Sequence, residues 1–80
     1  MREINDKAGT RWEAISVSTH GAHRKLGATL AFRRVDEPDA EPLITPITFN
    51  SDEAAALAIN TMSDAELRRR LTMAGAVAGR

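Results

Sequence analysis

The sequence predicts an α+β domain, a small antiparallel sheet of three or four strands followed by one or two C-terminal helices. Three observations predict it. Up to Phe49 the chain consists of short alternating or β-branched segments separated by turns that contain glycine or proline. After Phe49 the apolar spacing changes to helical period, and capping signals at Asn50-Ser51 and at Ser63 each precede such a segment. Cysteine is absent, so neither a disulfide framework nor a thiolate zinc site can take the place of a packed core.

The first element is a hairpin. Asp6-Lys7-Ala8-Gly9 separates Arg2-Glu3-Ile4 from Arg11 to Ser18, and Gly9 accepts the positive φ that a tight reversal needs. In its second arm Ile15 and Val17 point one way while Trp12, Ala14 and Ser16 point the other. One face therefore holds both sets only through a bulge; otherwise both faces are partly covered. Trp12, the sole tryptophan, is expected to anchor the core rather than serve as an exposed hot spot, because a chain of this size has few large side chains to spare.

Thr19 to Gly27 is polar with glycines near both ends and reads as a loop. Ala28 to Val35 follows at strand period, with Leu30 and Phe32 on one face and Ala31 and Arg33 on a wet one. The turn from Asp36 to Pro42 is acidic, and its two prolines block both helix and ladder donation. Leu43 to Phe49 resumes a β-branched pattern, and Pro46 within it marks an edge strand.

Asn50 or Ser51 caps the first helical segment, with Asp52 and Glu53 placed favourably against the helix dipole. Ser63-Asp64-Ala65-Glu66 spells a capping box, and Met62 and Leu67 stand at the spacing of a hydrophobic staple. The second helix is expected to bury Leu67, Leu71 and Ala74, to pair Glu66 with Arg70 and Asp64 with Arg68, and to stop at Gly75. Residues 1–74 then form one domain and 75–80 a flexible tail.

The 80 residues carry 42% hydrophobic side chains; 14 of these are alanine, which leaves 20 larger ones for a core. That is thin, and a partner is expected to contribute stability. Formal charge is zero, with 11 basic and 11 acidic residues, but the signs are sorted. Residues 1–34 hold seven bases and three acids, residues 35–66 eight acids and no base, and residues 67–80 four arginines. No apolar run follows the charged N-terminal residues, so no secretory signal is read and a cytoplasmic location is expected. The longest uncharged stretches are ten residues, about half of what a membrane-spanning helix requires.

Few residues suggest catalysis. His20 and His23 form an H-x-x-H pair, but the surrounding glycines disfavour the helix that would converge them on a metal, and the reading preferred is two solvated loop histidines. The pairs Asp36/Glu37 and Asp52/Glu53 fall in a turn and at a helix start, where acids are favoured for structural reasons. A Gly-rich phosphate loop and a G-x-S-x-G elbow are both missing from the sequence. The expectation is a protein without catalytic, metal or cofactor-binding residues.

The bases carry more weight. Arg24 and Lys25, together with Arg33 and Arg34 on the following strand, are candidate partner contacts that could converge with Arg11; Arg68 and Arg69 form a second candidate group. The opening Arg2-x-Ile4-x-Asp6-x-x-Gly9-x-x-Trp12-x-Ala14 resembles that of a group of small bacterial proteins with the pattern R-x-[FI]-x-D-x-x-G-x-x-W-x-V and a terminal Leu-Ser-Asp-Ala-Glu-Leu-like helix. Here that helix reads Met62-Ser63-Asp64-Ala65-Glu66-Leu67, and Ala14 stands where the pattern prefers valine. The resemblance implies the hairpin, the core tryptophan and the capping box, and it implies no activity.

The functional expectation is a non-catalytic accessory subunit that docks onto a larger protein assembly through Arg33, Arg34, Arg68 and Arg69, with the acidic turn as a second patch. Candidate hosts include a cytoplasmic machine and the cytoplasmic face of a respiratory or photosynthetic membrane complex, where the chain would be peripheral on the inner membrane. The alternative is a small nucleic-acid-binding regulator that uses Arg24, Lys25, Arg33 and Arg34.

Overall fold

A computed structural model describes the backbone of residues 2–20 and 26–78. Four strands, β1 (Arg2–Asn5), β2 (Arg11–His20), β3 (Leu26–Arg34) and β4 (Leu43–Phe49), form one antiparallel sheet in the order β1-β2-β3-β4. Two helices follow, α1 (Asp52–Thr61) and α2 (Asp64–Ala78). The expected α+β class is the one observed, with four strands and two separate helices.

The sheet has a covered and an open face. Ile4, Ala14, Leu30 and Phe32 pack with Ile59 of α1 and with Leu67 and Leu71 of α2 in one buried cluster, and Trp12, Leu43, Ile47, Phe49 and Met62 close around it. Pairing is unbroken from β1 through β3, so the bulge considered for the hairpin is not in it. Trp12, Ala14 and Ser16 lie on the helix side of the sheet, while Ile15 and Val17 lie on the other side.

The irregularity falls in β4. Ile44 pairs with Ala31 and Thr48 with Thr29, so residues 45–47 together oppose Leu30. Pro46 has no N–H to give the ladder. The buried Thr45 hydroxyl takes over, donating to the Leu30 carbonyl at 2.8 Å and accepting from the Ile47 amide at 3.1 Å. The expected edge strand is thus observed, and its proline is accommodated by a side chain that rebuilds the missing hydrogen bond.

Several expectations need correction. The strands flanking the second reversal run to His20 and from Leu26, further into the polar segment than its composition implies, because each continues the ladder of the other. The face of β3 read as wet is closed at its centre: Ala31 and Thr29 are buried, since they are small and are flanked across the ladder by Ile15, Val17 and Ile44. Gly75 does not end α2, which continues to Ala78. Leu67, Leu71 and Ala74 are buried as expected.

The caps are partly as read. Ser51 accepts from the Ala54 amide and Ser63 from the Glu66 amide, both at 3.1 Å. The Glu66 carboxylate does not return to the Ser63 amide as a capping box has it; it makes the expected pair with Arg70 at 2.6 Å and reaches Arg69 at 3.7 Å. Asp64 does not pair with Arg68 one turn on, because Arg2 of β1 reaches it first.

Candidate functional site

The β1–β2 reversal is organised by Asp6. One carboxylate oxygen accepts from the amides of Ala8 and Thr10, both at 2.9 Å, and the other accepts from the Trp12 indole at 3.0 Å. The indole bond is the largest influence and, with weaker bonds from the backbone, holds the Asp6 carboxyl below its ordinary value of 3.8 against desolvation, the second largest influence. Gly9, at φ 88, completes the turn in the left-handed region. The spaced Asp, Gly and Trp of the opening motif therefore form one hydrogen-bonded unit.

The bases are distributed and mostly engaged. Arg33 lies on the open face and pairs with Glu13, its cross-strand partner, at 2.7 Å. Arg34 lies on the opposite face, opposite Trp12, and grips Asp36 through two bonds of 3.1 and 2.9 Å, with Glu37 at 4.0 Å. This contact, chiefly its hydrogen bond, lowers the Asp36 carboxyl and raises the Arg34 guanidinium. Arg33 and Arg34 thus do not form one patch, since neighbouring residues of a strand point to opposite faces. Arg11 approaches Glu3 at 3.9 Å. Arg24 and Lys25 lie outside the described residues, as does His23.

Lys7 and Arg68 differ from the other bases. Arg2, Arg11, Arg33, Arg34, Arg69 and Arg70 each pair with a carboxylate; Lys7 and Arg68 have no such partner among the described residues. Arg68 instead donates its Nε to the Asn5 carbonyl at 3.0 Å, which fixes the guanidinium beside the end of β1. Lys7 and Arg68 border the same cleft of about 300 Å³, between the β1–β2 turn and the exposed side of α2. Arg69, Ala65, Thr72 and Met73 line its helical wall, and Asp6 lines the turn. A second, more polar hollow of about 350 Å³ continues past Arg68 along β1, between Glu3, Asn5, Arg11 and Asp64.

The open face of the sheet is the other surface of note. Across β2, β3 and β4 the register aligns Ile15, Ala31 and Ile44 in one row and Val17, Thr29 and Thr48 in the next. The ion pair of Glu13 with Arg33 bounds this strip, and Ile44 is 50% exposed. Among the described residues no element packs over it.

Sequence reasoning names Arg24, Lys25, Arg33, Arg34, Arg68 and Arg69, and of the four that lie among the described residues the structure brings only the last two together. It passed over Lys7, which is one residue in a turn until the fold sets it against α2. It also passed over Ile44 as a surface residue, because an apolar residue two positions before a proline in a strand carries no mark of which face it takes. Among the described residues, no three metal-ligating side chains cluster and no helix is long and apolar enough to cross a membrane. No protein-family model, curated protein or solved structure matches the chain.

Proposed function

We propose that this protein is a non-catalytic accessory subunit that docks onto a larger protein assembly through the open face of its sheet. The observation that carries the reading is the uncovered aliphatic strip of Ile15, Val17 and Ile44 on a sheet whose other face is filled by both helices. Layered domains bury apolar sheet faces against another layer, and here the second layer is supplied by a partner. The partner chemistry that fits is an aliphatic surface bordered by charge, because the strip ends at the Glu13–Arg33 pair. The hosts include the cytoplasmic face of a respiratory or photosynthetic complex, whose basic loops would meet the acidic residues Asp39 and Glu41.

The alternative of a nucleic-acid-binding regulator has less support. Arg33 and Arg34 are neutralised by local carboxylates and diverge to opposite faces, whereas phosphate binding relies on bases free to neutralise a backbone.

The test is native purification of the tagged full chain beside Ile44→Lys and Ile15→Lys, followed by reconstitution from the purified components. The expected result is a partner held at fixed stoichiometry by the parent chain, lost from both variants, and protecting β4 amides from hydrogen exchange when added back. A partner that both variants retain unchanged, or no partner at fixed stoichiometry, overturns the proposal. Steeply salt-dependent binding to random DNA or RNA would install the alternative.

A further inference from the structure

Resting on the docking reading above, we infer that the cleft between the β1–β2 turn and α2 is a second, electrostatic contact that receives an acidic, extended segment of the partner protein. The two described bases without a carboxylate partner, Lys7 and Arg68, both border this cleft, although they are 61 positions apart in the chain. Arg69 adds a third positive charge, and its own ion pair with Glu66 is long at 3.7 Å because Glu66 is already committed to Arg70 at 2.6 Å. The single acid in the lining, Asp6, has both carboxylate oxygens turned to the hairpin, on two amides and an indole. The lining thus carries three positive charges against one internally engaged negative charge.

The helical wall supplies the rest of the recognition chemistry. Ala65, Arg68, Arg69, Thr72 and Met73 follow at i, i+3, i+4, i+7 and i+8, so they make one face of α2, and all five are exposed. Met73 is 57% exposed and offers an adaptable apolar contact beside the charges. A segment that alternates carboxylates with an apolar residue matches both features. A nucleic acid matches less well, since three bases make a short phosphate track and no aromatic residue lines the cleft for stacking.

The probe is a fluorescein-labelled dodecapeptide of glutamates interrupted by two leucines, titrated with the full chain at about 50 mM salt and followed by anisotropy. Controls are the same peptide with lysine for glutamate, and oligothymidylate. Saturable binding of the acidic peptide is expected, weakened roughly tenfold or more by Lys7→Glu or Arg68→Glu and less than about twofold by Arg33→Glu. Circular dichroism verifies that each variant is folded, and Lys7→Glu, in an exposed turn, keeps the test decisive if Arg68→Glu is not. Absence of binding, equal weakening by Arg33→Glu, or tighter binding of oligothymidylate overturns the inference. If partner capture survives Lys7→Glu and Arg68→Glu yet is lost with Ile44→Lys, this cleft contact is wrong while the docking reading stands.

Discussion

Asp6 gathers three donors onto two oxygens, and this has a consequence for pH. Its carboxyl titrates below the ordinary 3.8 when folded, so between the two values the unfolded chain binds more protons than the native one. The stabilisation is then fully present above the unfolded value and is lost as pH falls through the native one. Asp6→Asn keeps an acceptor but puts an NH₂ where one oxygen was, so it cannot satisfy all three donors. The variant should be less stable than the parent at about pH 6, and the gap between their urea midpoints should close as pH drops below the usual carboxylate value. A gap that stays constant with pH would show that the charge of Asp6 plays no part. Thr45 poses the same accounting problem without charge. Thr45→Val preserves shape but leaves the Leu30 carbonyl and the Ile47 amide without the hydroxyl they share, and should cost about 1–3 kcal/mol in urea unfolding. Thr45→Ser should recover most of it.

At the scale of the element, α2 illustrates how a residue that usually ends helices can sit inside one. Gly75 is helical with nothing within 4 Å of where a Cβ would stand, whereas Gly9 holds φ 88 in the hairpin turn. Alanine should therefore have opposite effects at the two sites. Gly75→Ala should stabilise by about 0.5–1 kcal/mol by restricting the unfolded chain. Gly9→Ala should destabilise by roughly 1 kcal/mol because its Cβ is forced into the left-handed region. Thermal melts of the two variants decide this, and a loss at Gly75 would mean that this turn of α2 is not helical in solution.

For the whole molecule, Arg2 ties the start of the chain to the junction of the two helices. Its guanidinium donates to the carbonyls of Ile59, Asn60 and Met62 at 3.2, 3.3 and 2.6 Å, and to Asp64. These carbonyls close α1, which has no basic residue in its own last turn, so strand β1 supplies the positive charge that the helix C-terminus favours. The same side chain meets the first turn of α2, and in this way sets the junction between the helices against the edge of the sheet. Arg2→Met retains the apolar stem and removes the donors; it should lower stability by about 1–3 kcal/mol in urea unfolding. Arg2→Lys, with one compact charge in place of a fork, should fall between the two. If Arg2→Met unfolds at the parent's urea concentration, the junction is held by packing alone.

Local chemistry settled most of the secondary structure in advance. The glycine of the hairpin, the two serine caps, the proline that marks the edge strand and the spacing of Leu67, Leu71 and Ala74 each act over a few residues, and each is where the sequence puts it. The change of period after Phe49 likewise marks where strands give way to helices. Glu66 pairs with Arg70 as helical spacing has it, but tertiary structure decided which charges meet between elements. Asp64 has Arg68 at helical spacing, yet it pairs with Arg2 from the other end of the chain, and Arg68 turns instead to the carbonyl of Asn5. It also decided which sheet face stays open, and that Lys7 and Arg68 share a cleft. The reason is range: caps, turns, periodicity and ion pairs within one helical turn are set by neighbours along the chain, whereas ion pairs between elements, clefts and uncovered faces depend on how whole elements are laid against one another.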